Sequence, residues 1–203
     1  MTRLQRLDWP DHGTPDLPPA FALEEAEARL KARRRVMAGP VGCGLCGIDS
    51  IDQALREVPM VAPSAFAMTP SQVLAAVAAL PGEQRLHDAT RAVHGAAFWN
   101  GRVLLAREDV GRHNALDKLV GGMVRQGIGP EGAVVLTSRV STDMVQKVAM
   151  LGAPMIVAVS APTVAAVELA ERAGITLVAL AKGDRFEVFS HTDRLMTEGA
   201  HVG

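Results

Sequence analysis

Three short β-rich apolar runs constrain the fold of this chain more than any other feature. They are GAVVLT at 132–137, MIVAV at 155–159 and ITLVAL at 175–180, and helical patterns at 142–151 and 163–173 separate them. Strands joined by crossover helices pair in parallel, and parallel strands are apolar along their length because helices cover both faces. The expected class is α/β: a layered α/β/α domain with a mostly parallel sheet. Asn100-Gly101, between 96–99 and 102–106, predicts a hairpin, and Gly183-Asp184 turns 175–180 into a last strand at 185–189. Helix 112–126 should follow the hairpin. Thr69-Pro70 opens a helix, with the hydroxyl as cap and proline at the first helical position. That helix is expected to reach about Leu80, where Pro81-Gly82 stops it, and a second helical stretch should cover 83–91.

The chain ahead of this pattern reads differently. Residues 1–20 hold four of the twelve prolines and show no periodicity, so they form an irregular arm. Residues 21–37 look helical, with Glu24, Glu25 and Glu27 early and Arg33, Arg34 and Arg35 late, a charge order that complements the helix dipole. The expected division is an arm and helix at 1–38, a glycine-rich cysteine loop at 39–50, and the α/β core at 51–203.

Composition removes several classes of function. With 48% apolar residues in 203, the chain can bury a core and is not disordered. Its 21 basic residues face 22 acidic ones, so no net field favours nucleic acid. Five Phe, two Trp and no Tyr leave few rings for base stacking. No apolar run approaches the roughly 20 residues that span a bilayer. The first residues lack the apolar centre of a signal peptide, and two cysteines are too few for a disulfide scaffold, so the expected location is the cytoplasm.

In a parallel sheet, ligands bind outside the carboxyl ends of the strands. Here those ends carry polar or basic residues in four successive connections. Glu108, Asp109, Arg112, His113 and Asn114 follow the hairpin. Ser138 and Arg139 follow the next strand, with Ser141 as the expected cap of helix 142–151. Ser160 and Thr163 follow the third. Ala181, Lys182, Gly183, Asp184 and Arg185 follow the fourth. Free N–H groups at helix starts together with Arg112, Arg139, Lys182 and Arg185 suit phosphates. Asp109 or Glu108 is placed to accept the N–H groups of a guanine edge.

Cys43 and Cys46 stand in G-C-G-L-C-G. The flanking glycines permit unusual backbone angles and close approach to a partner. Four uses of such a pair remain open: half of a zinc site completed by His87, His94, His113 or a second subunit; dithiol redox chemistry; sulfur carriage on a thiolate; and two incidental thiols. His94, in R-A-V-H-G-A, sits where a zinc deaminase would need His-x-Glu. Gly95 and Ala96 follow it and no Pro-Cys-x-x-Cys exists, so that chemistry is excluded. His113, in G-R-H-N, suits a general acid or base or a plain residue of the first helical turn.

The strings GCGLCGIDSI, EDVGRHNALDKLVG, TSRVSTDMVQKVAMLGAP, VSAPTVAAVELAERAGITLVAL and RFEVFSHTDRL occur in that order. Over residues 30–196 they closely resemble the FdhD family of formate dehydrogenase accessory sulfurtransferases. The resemblance implies a cytidine-deaminase-like fold and a homodimer. It implies sulfur taken from a cysteine desulfurase and carried to the molybdenum bis(molybdopterin guanine dinucleotide) cofactor, before that cofactor enters the formate dehydrogenase catalytic subunit. It implies a persulfide on Cys43 with Cys46 assisting, and cofactor contacts along Leu180–Arg185. No permanent metal is implied. The alternatives are a cofactor-binding chaperone without sulfur transfer and a C-x-x-C zinc or redox protein. Family members usually carry a longer N-terminal region, so residues 1–38 are expected to be its remnant. Two runs depart from the family pattern. The usual Thr-Gly-Gly-x-His reads Thr90-Arg91-Ala92-Val93-His94, and the usual Ser-Gly-Arg-x-Ser reads Thr137-Ser138-Arg139-Val140-Ser141. The second change is expected to place the Ser138 side chain beside the phosphate-binding edge.

Overall fold

The computed structural model describes residues 58–196. The expected arm and helix at 1–38 and the expected cysteine loop at 39–50, with Cys43 and Cys46, lie outside the described residues. Helix α1 (Pro70–Glu83) and helix α2 (Arg85–Thr90) lead into strands β1 (His94–Trp99) and β2 (Val103–Asp109). Then come α3 (Arg112–Gln126), β3 (Ala133–Leu136), α4 (Thr142–Leu151), β4 (Met155–Ala158), α5 (Val164–Ala173), β5 (Thr176–Lys182) and β6 (Arg185–Ser190). A single 3-10 turn at Thr192–Arg194 follows.

The six strands form one sheet in the order β2-β1-β3-β4-β5-β6. Strands β3, β4 and β5 pair in parallel, and β1 is antiparallel to both β2 and β3. Strand β2 therefore points the same way as β3, β4 and β5, so four of the six strands share one direction. The antiparallel members are β1 and β6, each bound to a neighbour by a hairpin. This is the expected layered α/β class, with the parallel character concentrated in the centre. The reversals occur where Gly101 and Gly183 take positive φ, +72° and +67°, which costs a glycine little.

Alternation along the strands builds two cores. Ala96, Phe98, Val134, Leu136, Ile156, Ala158, Leu177 and Ala179 face α3, α4 and α5, whose contribution includes Leu116, Leu119, Met144, Val148, Leu169 and Ala173. The intervening residues Ala97, Trp99, Val135, Val157 and Val178 face α1 through Val73, Ala76 and Leu80. No helix among the described residues is long and apolar enough to cross a membrane.

Element boundaries differ from expectation in several places: β1 begins at His94, and β5 runs on to Lys182, so Ala181 and Lys182 belong to the strand and not to the connection after it. Helix α1 continues through Pro81 to Glu83, because a proline in the last turn removes one hydrogen bond while buried Leu80 holds the turn down. Helix α2 is shorter than 83–91, since Arg91 leaves it in a left-handed conformation at φ 55°. Strand β2 runs on to Asp109, so Glu108 and Asp109 belong to the strand and not to the loop after it.

Candidate functional site

The shared direction of β2, β3, β4 and β5 puts their carboxyl ends on one edge of the sheet. The start of β1 and the β5–β6 turn lie on the same edge, because His94 pairs with Asp109, and Lys182 with Arg185. The four polar connections all lie along this edge. The backbones of the last three interlock: Val140 donates to the Ala161 carbonyl, Thr163 donates to the Val140 carbonyl, and Leu180 N–H points at the Ser160 carbonyl at 3.4 Å.

Two carboxylates at this edge are occupied by the protein itself. Glu108 accepts the N–H groups of Leu86 and His87 at 2.8 and 2.9 Å, capping the start of α2. Asp109 Oδ1 accepts from Gly111 N–H at 2.9 Å and from Asn114 at 3.2 Å, and Oδ2 pairs with Lys118 at 2.5 Å. Those contacts, Lys118 foremost, hold the Asp109 carboxyl down to about 2. The geometry thus gives Glu108 and Asp109 the task of ordering helix starts, and the guanine-edge role expected for them loses its free acceptors. Ser138 also differs from expectation. It is buried, and its hydroxyl turns inward to the Arg139 carbonyl and Met144 sulfur, so its side chain does not crowd the edge.

The donors are left unsatisfied. Arg112 and His113 open α3, and Ser141 holds the cap position of α4. Arg112 Nε, His113 Nε2 and Ser141 Oγ are buried without a hydrogen-bond partner. Ser141 thus has the expected position but not the expected cap bond, whereas Thr163 caps α5 by accepting from Ala166 N–H at 3.2 Å. Asp143 Oδ2 approaches His113 Nε2 at 3.7 Å, too far for a hydrogen bond. Burial, then the Arg112 charge, lowers the pKa of His113 against the opposing pull of Asp143. The same two causes lower that of His94, with His87 adding to them. In both the shift favours the neutral imidazole. His94 opens a strand, and among the described residues no three His, Cys, Asp or Glu side chains gather to hold a metal.

The β5–β6 end supplies shape and charge. Leu180 is a non-glycine residue at φ 54°, and the β5–β6 register breaks between Ala179 and Lys182. A left-handed branched residue inside a strand irregularity is strained backbone that the fold must hold in place. Ala181 is buried, while Lys182, Gly183, Asp184 and Arg185 are exposed. Arg139 is exposed as well, and Ser160 is half-buried beneath Leu180. The edge therefore gathers unpartnered polar atoms and exposed cations, with Glu108 and Asp109 already in use and Asp143 and Asp184 as its remaining carboxylates.

Sequence reasoning missed Gln84. It is buried, its Nε2 lacks a partner, and it fills the space over Gly95, where a Cβ would come within 2.7 Å of that nitrogen. No spacing rule links positions 84 and 95. It also missed Lys118, which reaches Asp109 only because α3 folds back over β2.

Comparison with known proteins agrees with this architecture. The model of the FdhD/NarQ family matches residues 7–196. The Agrobacterium fabrum protein named sulfur carrier protein FdhD is 56% identical over 178 residues, 86% of this chain and 66% of its own length. The Bordetella bronchiseptica protein of the same name is 50% identical, over 83% of this chain and 62% of its own. The chain thus spans a little under two thirds of the length of these curated relatives. The crystal structure of a candidate formate dehydrogenase accessory protein from Desulfotalea psychrophila superposes with a TM-score of 0.65 at 32% identity, covering 71% of this chain and 62% of that one.

Proposed function

The chain belongs to the FdhD/NarQ family, and from that membership we propose that it is a sulfur carrier, a sulfurtransferase of the persulfide type. On this reading the Cys43 thiolate attacks the outer sulfur of a cysteine desulfurase persulfide. The desulfurase cysteine leaves as thiolate, and Cys43 holds the sulfur as its own persulfide. The acceptor is the molybdenum bis(molybdopterin guanine dinucleotide) cofactor, bound as substrate. Cys46 completes the transfer by attacking the Cys43 sulfur. The outer sulfur departs with the bonding pair as sulfide, which becomes a ligand of the molybdenum, and the resulting Cys43–Cys46 disulfide is returned to two thiols by a cellular dithiol. The client is the formate dehydrogenase catalytic subunit, and the carrier works as a cytoplasmic homodimer.

The observation that carries this reading is the single edge where four strand ends and the β5–β6 turn converge with buried donors that nothing in the protein satisfies. An extended anionic dinucleotide supplies the acceptors such an edge lacks. Leu180–Arg185 contribute the strained backbone and two exposed cations, Arg139 adds a third, and Ser160 supports the Leu180 turn from below. Neutral His113 and Arg112 orient the ligand and can handle a proton during transfer.

The test is exposure of the purified protein to a cysteine desulfurase and cysteine, read by mass spectrometry. A one-sulfur gain on Cys43, lost in Cys43→Ala, is the expected result. In cells lacking their own copy, the wild-type gene restores formate dehydrogenase activity and Cys43→Ala does not. Cofactor binding without any sulfur gain would leave a chaperone instead. Stoichiometric zinc on the cysteines, or reductase activity with no affinity for guanine nucleotides, would overturn the reading.

A further inference from the structure

We propose that the lateral edge of the sheet at β2 is closed to strand addition by two cations of the chain itself, Arg107 and Lys118. The inference is independent of the sulfur-carrier reading, because it concerns which side of the sheet can pair with another chain.

A residue in an antiparallel strand points its N–H and C=O to the same side, and successive residues alternate. Gly95 turns both groups toward β3: its N–H donates to Thr137 Oγ1 at 2.9 Å, and its carbonyl accepts from Thr137 N–H at 3.1 Å. Its neighbours His94 and Ala96 therefore face β2, where they meet Asp109 and Arg107. Ala106 and Glu108 then point away from β1. Strand β2 is the last on its side of the sheet, so no strand among the described residues takes their backbone groups. Left bare, such a row is a template for another chain.

Neither outward carbonyl is bare. Arg107 Nη1 donates to the Ala106 carbonyl at 2.7 Å, and Lys118 Nζ donates to the Glu108 carbonyl at 3.3 Å. Earlier in the strand, Leu104 is the extra residue of a bulge, since Trp99 pairs with Val103 and Phe98 with Leu105. A bulge bends an edge away from a flat partner. The seven-residue strand thus offers no run of free acceptors. An incoming strand would need the Ala106 and Glu108 carbonyls for its own N–H groups, and taking them means displacing and desolvating two charges.

Both cations are held where they act. Arg107 is half-buried, and its guanidinium lies against α3 at Gly122, where a Cβ would come within 3.3 Å of Nη2. Lys118 projects from α3 and is paired with Asp109 Oδ2 at 2.5 Å. One cation comes from the strand and the other from the helix packed on it, so the edge is closed while α3 is docked. Any self-association of the wild-type protein then uses another surface.

The test uses the full 203-residue protein and compares wild type with Arg107→Met/Lys118→Met by analytical ultracentrifugation over a range of concentrations. Methionine keeps an apolar stem and removes the charge. The double variant is expected to associate beyond the wild-type assembly, with a weight-average mass at least about twice that of wild type at the highest concentration. Adding Ala106→Pro should restore the wild-type mass, because proline removes an outward N–H that β1 does not use. A folded double variant with wild-type mass throughout, or extra mass that persists with Ala106→Pro, overturns the proposal. If the double variant does not fold by circular dichroism, Arg107→Met alone decides, and a mass equal to wild type counts against it. If the triple variant does not fold, amide exchange of the double variant decides: new protection at Ala106 and Glu108 supports strand addition, and its absence overturns it. In wild type the amides of Ala106 and Glu108 should exchange at least about tenfold faster than those of Arg107 and Asp109. Equal exchange of the four would mean that the edge is not as described and would also overturn the proposal.

Discussion

The two edges of this sheet are built from the same strands and treated in opposite ways. At the amino edge of the parallel strands, polar groups are satisfied locally. Asn100 donates to the Glu131 carbonyl at 2.8 Å, and Ser64 donates to the Glu131 carboxylate at 2.6 Å. Gly132 is packed so closely that a Cβ would lie 2.5 Å from the Trp99 carbonyl oxygen. At the carboxyl edge lie four of the five buried unpartnered side-chain atoms among the described residues: Gln84 Nε2, Arg112 Nε, His113 Nε2 and Ser141 Oγ, with Arg194 Nε the exception. The strained Leu180 backbone is there too. One edge closes the fold, and the other holds unmet interactions that a ligand can complete.

The largest expected effect tests the closed edge. Gly132→Ala has no room against backbone and should lower stability by about 1–3 kcal/mol in urea denaturation, with pyrophosphate affinity of the folded protein unchanged. A coupled loss of binding would show that the two edges are not independent. Next comes a contrast of helix caps. Thr163→Ala should cost about 1 kcal/mol because it removes a formed cap bond. Ser141→Ala should change ligand-free stability by less than about 0.5 kcal/mol, since its hydroxyl has no bond to lose. Equal costs at the two sites would break the comparison.

Smaller gains are expected from relieving left-handed residues. Arg91→Gly should stabilise by about 0.5–1 kcal/mol, because a glycine adopts φ 55° without strain, and its exposed contact with Asp88 at 3.9 Å contributes little. Leu180→Gly should raise stability to a similar degree but weaken guanosine diphosphate, if the strain there serves the site. The smallest effect is pH dependence. His94 and His113 have folded pKa values below their ordinary 6.5, so the unfolded chain binds protons first as pH falls through that value. The melting temperature should therefore decline from pH 7 to pH 5, and His113→Gln should flatten that slope. Asp109, held near 2, acts in the other part of the range: its stabilisation is present above pH 4 and disappears as pH falls toward 2.

Much of this protein was legible in one dimension. Runs of Val, Ile, Leu and Ala spaced by helical patterns specified the layered sheet, because period and burial are local properties of a segment. Asn100-Gly101 and Gly183 specified the reversals for the same reason, and helices α3 and α4 begin and end where their patterns do. Strand direction then implied that the polar connections share an edge. What the sequence could not decide was which polar atoms are consumed and which are left over. Glu108 and Asp109 read as free acceptors until α2 and α3 folded against β2 and occupied them. Ser138 is expected at the edge and Ser141 as a helix cap, yet the Ser138 hydroxyl turns inward to Arg139 and Met144 while that of Ser141 makes no cap bond. Hydrogen-bond satisfaction depends on sub-ångström distances between segments far apart in the chain, and only the packed tertiary structure fixes those distances.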